Sequence, residues 1–196
     1  MASIVTVDAG EKGRLLCEVW AGDGHHSTSQ DRGDFADAEV VLFGGLNLEQ
    51  LAGAEASLIG KIIVDCGNPP GAMVKPTVSR TEALAQAYPG ARIVKAFNTI
   101  SAEAIAYVLK HGGIEIGSVY TSGFYCGDDD EAKAIVAGLI AEAKLDPIDC
   151  GSLANAHLLD SIGLLERYLS ASVFDSWFAI TVVRDATDRS PLDRLF

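Results

Sequence analysis

Six short runs rich in β-branched and apolar residues recur along the chain: "SIVTV" (3–7), "EVVLFGG" (39–45), "KIIVDCG" (61–67), "RIVKAFN" (92–98), "SVYTSGFYCG" (118–127) and "LDPIDCG" (145–151). Near-continuous apolar strands are buried on both faces, which happens when a parallel sheet is covered by helices. The segments between them are helix-like: Gly13–Trp20, Asn47–Leu58, Thr81–Tyr88, Ser101–His111 and Asp130–Lys144. This alternation predicts an α/β fold, a Rossmann-like, doubly wound and mostly parallel sheet over residues 1–151.

After Gly151 the pattern changes. Leu158, Leu159, Ile162, Leu165, Leu169, Val173 and Trp177 recur at helical spacing, so one long or broken helix is expected from Ser152 to about Val183, its start marked by Ser152 and Asn155. Asp160, Glu166, Arg167 and Asp175 interrupt the stripe too often for a membrane span. The stripe either packs on its own domain or pairs with a second copy. The end, "RDATDRSPLDRLF", reads as an extended tail in which Leu195 and Phe196 could dock on a neighbour.

The first strand runs into "VDAGEKG", where a dinucleotide fold keeps its glycine-rich phosphate loop. Gly10 and Gly13 stand at the second and third glycine positions, and Asp8 stands at the first. Asp8, Ala9, Gly10, Lys12 and Gly13 are the candidate cofactor-binding residues. At ~5 Å and an effective dielectric of ~20, each carboxylate there opposes a phosphate charge by roughly 3 kcal/mol before screening, and Lys12 could offset one. The alternative is that Asp8 caps the helix amides and Glu11 complements the dipole. About 26 residues separate Gly13 from Val40, too few for the second strand, helix and third strand of an intact fold. One short strand fits at His25 to Gln30. Arg32, with Ser27 or Ser29, could grip a ribose phosphate; a solvated loop is the competing reading.

A formal net charge of -12 disfavours nucleic acid and anionic membrane as partners. "MASIVTVDAGEKG" has no basic region followed by a long apolar run, so a cytoplasmic location is expected. Cys17, Cys66, Cys126 and Cys150 form no C-x-x-C pair and read as buried free thiols. No metal site is expected: His25 and His26 have no matching ligands, and Asp128–Glu131 has the spacing of a capping box at a helix start.

From Gly60 onward "GKIIVDCGNPPG", "RIVKAFNTISAEAI" and "YCGDDDEAKAIVAGLIAEAKLDPIDCGSLANAHLL" together resemble the NADPH:deazaflavin-coenzyme oxidoreductase family, including the related reductase domain of the six-transmembrane ferrireductases. The resemblance covers Gly60 to about Leu165. It implies NADP(H) as cofactor and a deazaflavin or small organic molecule as the other partner. It places Phe43, Gly44 and Gly45 beside the nicotinamide ribose, matches Asn68-Pro69 to the family's Asn-Pro, and puts Asn98-Thr99 near the nicotinamide and substrate face. It also implies that residues 152–196 are a dimerisation segment, hence a homodimer.

The leading expectation is therefore hydride transfer between NADP(H) and a deazaflavin or small organic substrate. Asn98 and Thr99 would orient the acceptor, and Tyr125 or His157 could supply a proton to a carbonyl, imine or enone. Asp8 and the shortened first half motivate two rivals. One is a member without bound dinucleotide that catalyses a redox-neutral cyclisation or isomerisation in a biosynthetic pathway; the other is a non-catalytic dimeric binding protein.

Overall fold

The computed structural model of the chain describes residues 1–30, 35–45, 48–69, 79–113, 115–116 and 119–183. Four apolar runs form the parallel strands β1 (Ser3–Val7), β3 (Val40–Phe43), β4 (Ile62–Asp65) and β5 (Arg92–Ala96), and the polar "HSTSQ" forms β2 (His26–Gln30). The fifth and sixth runs continue the sheet as β8 (Ser122–Gly127), antiparallel to β5, and β9 (Asp146–Asp149), parallel to β8. Between β5 and β8 lies an antiparallel pair, β6 (Glu115–Ile116) and β7 (Val119–Tyr120), so "SVYTSGFYCG" splits into two strands. The sheet order β2-β1-β3-β4-β5-β8-β9 reverses direction at β1. The expected doubly wound fold is present.

The second strand survives the shortening. Among the described residues, β2 is followed directly by the approach to β3, with no helix or strand between them, so the third strand of an intact half is absent there. Arg32 lies outside the described residues, as do Leu195 and Phe196.

Helices α1 (Gly10–Gly22), α4 (Ala102–His111) and α5 (Asp130–Glu142) cover one face. Leu16, Trp20, Ile105 and Val136 pack there against Val40, Val64 and Ala96, and the Trp20 indole nitrogen donates to the Leu139 carbonyl at 3.1 Å. The other face carries α2 (Glu55–Leu58) and α3 (Arg80–Ala87), over Val41, Phe43 and Ile63, and α6 (Ala156–Leu169), whose Ala156 and Leu159 pack on Phe124 and Cys126 of β8. The helix read at Asn47–Leu58 is in fact a 3-10 turn at Leu48–Leu51 and the single turn of α2, broken at Gly53 with φ 83°. Asp129, not Asp128, caps α5, accepting from Ala132 N–H at 2.7 Å, while Asp128 accepts from Leu153 N–H at 2.8 Å.

The C-terminal stripe is also shorter than expected. A 3-10 turn at Leu153–Asn155 leads into α6, which passes into a π turn at Ser170–Phe174 and stops at Asp175, φ 49°. The chain then folds back, and Ser122 N–H donates to Ile180 O at 2.9 Å. The sequence stripe carries on because Trp177 is apolar for a different reason: it packs against Tyr107 of α4, ring centroids 5.1 Å apart.

Candidate active site

The candidate site lies at the carboxyl ends of the parallel strands, where ligands bind in open α/β sheets, at the β1/β3 reversal point. Asp8 takes the left-handed conformation, φ 48°, and Gly10 takes φ 56° with open space around its Cα. Gly13 cannot carry a side chain, since a Cβ there would collide with that of Ala9; it performs the close-packing role of the third glycine. Asp8 does not cap α1. Ala9 occupies the cap position, and among the described residues no side-chain cap bonds the first-turn amides. The Asp8 carboxylate is instead turned towards Gly45, whose Cβ would lie 2.7 Å from Oδ2.

Phe43, Gly44 and Gly45 sit beside this loop, but the Phe43 side chain is buried in the core under the Arg80 guanidinium, 5.5 Å from its centroid, and is not offered to a cofactor. Gly44 is glycine because the loop backbone touches it: a Cβ would lie 2.6 Å from Ala9 Cα. Arg80 closes the far side by bonding the Gly45 carbonyl and the Asp65 carboxylate.

Asn68 and Asn98 are brought together. Asn98 is buried, and its amide nitrogen donates to Asn68 Oδ1 at 2.9 Å and to Leu159 O at 2.8 Å, while the Asn68 amide donates to Asn98 O at 2.7 Å. Both amide nitrogens are thus spent on fixing α6 to the ends of β4 and β5, while Asn98 Oδ1 is buried without a hydrogen-bond partner among the described residues. Thr99 is buried beside them and Pro69 half-buried. Ser27 of β2 has a buried hydroxyl without a protein partner among the described residues.

Register puts Tyr125 opposite Ala96, the last residue of β5, with its side chain buried in the core, while His157 lies back along α6. Arg92, the first residue of β5, pairs with Asp129 and Glu131, which puts the start of α5 at the opposite, amino edge. The Tyr125 phenol is raised by burial and then by Asp149, its register partner on β9, with Lys133 of α5 opposing. His157, in the first turn of α6, donates from Nδ1 to Ala154 O at 2.7 Å. It lies nine residues before Glu166, about 13 Å along the helix.

Lys12 and Glu166 come together at this edge with Glu103, a grouping the motifs did not point to. Lys12 turns inward and donates to Phe97 O at 2.7 Å, so it does not shield Asp8. Burial pulls its ammonium below the ordinary value, against the raising influence of Cys66, Glu166 and Glu103. Glu166 is 4% exposed and accepts from Ser170 Oγ at 3.2 Å; burial raises its carboxyl, while Ser170 and Lys12 hold it down. Glu166 lines a cleft of about 780 Å³ between the start of α4 and the end of α6, with Ser101, Glu103, Arg167, Asp175 and Trp177.

Beneath the site is a buried four-charge network. Lys95 on β5 contacts Asp65 at 3.4 Å and Asp160 of α6 at 2.8 Å, Arg80 holds Asp65, and Thr81 and Ser79 hydroxyls donate to Asp65 and Asp160. Burial alone would raise the Asp65 carboxyl, but Lys95 and Arg80 hold it below the usual range. Two carboxylates meet two cations, so the network is charge-balanced. The signal for it in the sequence was a charge inside each of two apolar strands, Asp65 and Lys95, which the register places side by side.

No family model matches the sequence. The rat metalloreductase STEAP3 (Rattus norvegicus) is 32% identical over 136 residues, 65% of this chain and 26% of that protein. The match thus spans about a quarter of that relative's length. A solved structure from Arthrobacter sp. FB24, described as a proposed F420-dependent NADP-reductase, superimposes with a TM-score of 0.78 at 24% identity, covering 94% of this chain and 100% of that one. The resemblance read in the sequence holds. An imine reductase of Streptomyces aurantiacus shares the fold more distantly, with a TM-score of 0.62 at 14% identity over 86% of this chain and 62% of that one. The chain has the Rossmann-like fold of these proteins, and no helix among the described residues is long and apolar enough to cross a membrane.

Proposed function

We propose that the chain is an NADP(H)-dependent oxidoreductase acting on a small organic molecule or a deazaflavin. The observation that carries this reading is the start of α1: amides with no side-chain cap among the described residues, a positive-φ Gly10 with open space, and Gly13 packed against the loop, all at the strand reversal. A helix start of this kind suits a pyrophosphate. The relatives and neighbours named as reductases support the same reading.

A bound NADP(H) would supply or accept hydride. The chain's own part is to hold and orient. The α1 amides and Gly10 would hold the pyrophosphate, with Ser27 and Arg32 candidates for the ribose phosphate. The Gly44-Gly45, Asn68-Pro69 and Asn98-Thr99 turns would form the floor for the rings, Asn98 acting as a positioning residue through Asn68 and α6. The cleft under Trp177 would take the second substrate and keep water from it.

One observation favours a second reading. The Asp8 carboxylate sits at the loop and the third strand of the adenosine side is absent among the described residues, as in a member that has given up its dinucleotide for redox-neutral chemistry or for binding alone. Calorimetric titration with NADPH and NADP separates the two. Binding tighter than millimolar supports the oxidoreductase, and absence of binding to both overturns it. Asp8→Gly removes one opposing charge and leaves a residue at ease at φ 48°, so it should tighten NADPH binding by at least about tenfold. Weakened binding would show that Asp8 holds the cofactor.

A further inference from the structure

We propose that Lys12 reads the oxidation state of the cofactor: its ammonium disfavours the cationic, oxidised nicotinamide, so the site takes up the reduced dinucleotide and lets the oxidised one go. The inference rests on the oxidoreductase reading and adds the direction in which the site works, reduction of the organic partner.

Helix formation gives no reason for a lysine here. Lys12 lies in the first turn of α1, where the helix dipole favours an acid such as Glu11 and disfavours a cation. Its half-buried side chain instead crosses to the far side of the site and donates to Phe97 O at 2.7 Å. Phe97 follows β5 and takes a left-handed backbone, φ 60°, with its ring buried edge-on against Trp20, centroids 5.7 Å apart. A bulky residue keeps such a conformation only where its surroundings hold it, so the carbonyl is a fixed seat for the lysine.

That seat lies in the nicotinamide half of the site. A dinucleotide with its pyrophosphate at α1 and its adenosine towards β2 has its nicotinamide on the other side of the reversal point, over the ends of β3, β4 and β5. The ammonium, held at the end of β5, therefore acts on the ring more than on the phosphates.

The groups that face Lys12 are Cys66 after β4, Glu166 of α6, Lys95 of β5 and Glu103 of α4. Burial pushes the Cys66 thiol up to about 11, so it is neutral. Lys95 is paired with Asp65 and Asp160. Glu103 is exposed and screened by water, and burial draws Glu166 towards its neutral form. Burial also lowers Lys12, so its charge is fullest on the acid side of neutrality, where Glu166 opposes it least.

The two forms of the dinucleotide carry the same phosphates and differ by one positive charge on the ring. Contacts to pyrophosphate and ribose, and the opposition of Asp8, enter both affinities alike and cancel in their ratio. A unit charge about 7 Å from the ring at an effective dielectric of about 20 changes that ratio by more than tenfold. With hydride passing from NADPH to the acceptor and a proton taken up from water, the oxidised product is the form that Lys12 repels.

The test is calorimetric titration of the whole chain with NADPH and with oxidised NADP at pH 6.5, without substrate. The wild type should bind NADPH at least tenfold more tightly than the oxidised form. Lys12→Met should reduce this preference at least tenfold by tightening the oxidised form, with NADPH affinity held within about threefold. Lys12→Gln, which keeps a donor for the Phe97 carbonyl, should do the same, and Lys12→Arg should retain the wild-type ratio. A wild type that prefers the oxidised form, a ratio unmoved by Lys12→Gln, or an equal loss of both affinities overturns the inference, the last by showing that Lys12 holds phosphate, and leaves the oxidoreductase reading standing. If the wild type binds neither form, that reading falls and takes this role of Lys12 with it.

Discussion

Gly163 shows how tightly single residues are constrained around the site. It lies on α6 against the Asn68 amide, and a Cβ there would collide with Asn68 Oδ1. Gly163→Ala should therefore push Asn68 off Asn98 and destabilise the chain by about 1–3 kcal/mol in chemical denaturation, where an exposed helical Gly→Ala would stabilise. Glu166 makes a prediction of opposite sign. Its folded carboxyl is raised above the unfolded value near 4.5, so its ionisation costs the folded state stability once pH passes from that value through the folded pKa. Glu166→Gln should then be more thermostable than wild type at pH 8, and the gap in melting temperature should shrink towards zero near pH 4. A gap that stays constant with pH would mean that Glu166 ionises freely.

At the scale of elements, α6 is attached to the sheet by polar groups as much as by apolar ones. Lys95 meets Asp160, Asn98 meets the Leu159 carbonyl, and Leu159 alone of the paired leucines at 158 and 159 is buried. Lys95→Met would leave Asp65 and Asp160 buried with Arg80 as their only cation among the described residues. The expected loss is about 3–5 kcal/mol, with α6 amides losing hydrogen-exchange protection before those of β3 and β4. The stability that Asp65 draws from the network is present above its unfolded pKa near 3.8 and is lost as pH falls below it towards the depressed folded value. The strands were legible because burial on both faces leaves continuous apolar letters, and α5 because its acids announce its start. The charge network was not, because Asp65 and Lys95 lie thirty positions apart and only strand register unites them. The break of α6 at Leu169 was hidden because Val173 and Trp177 keep the helical spacing while serving an exposed turn and an aromatic contact. Lys12 was legible as a loop residue but not in its direction, since a neighbour 85 positions away decides where it points.

On the whole molecule, the outer face of α6 and its π turn leaves Leu158, Leu165, Tyr168, Val173 and Phe174 between 50% and 59% exposed. Apolar side chains gathered on one side of one element are the surface that a second copy of the chain would cover, and we expect the homodimer to form there. Its electrostatics are unusual in sign. Each chain carries a net charge of -12, so association brings two strongly acidic bodies together and is opposed over several ångströms at low salt. Raising NaCl from about 10 mM to 150 mM shortens the screening length from about 30 Å to about 8 Å and removes most of that repulsion while leaving apolar burial intact. The dimer should therefore tighten with salt. Light scattering should move from near the 20.6 kDa of one chain towards twice that mass as NaCl is added, and Leu165→Lys should hold the protein near the lower value at both concentrations. A single species near 20.6 kDa at high protein concentration in 150 mM NaCl would remove the dimer. One that weakens with salt would place the contact on opposed charges, away from this face of α6.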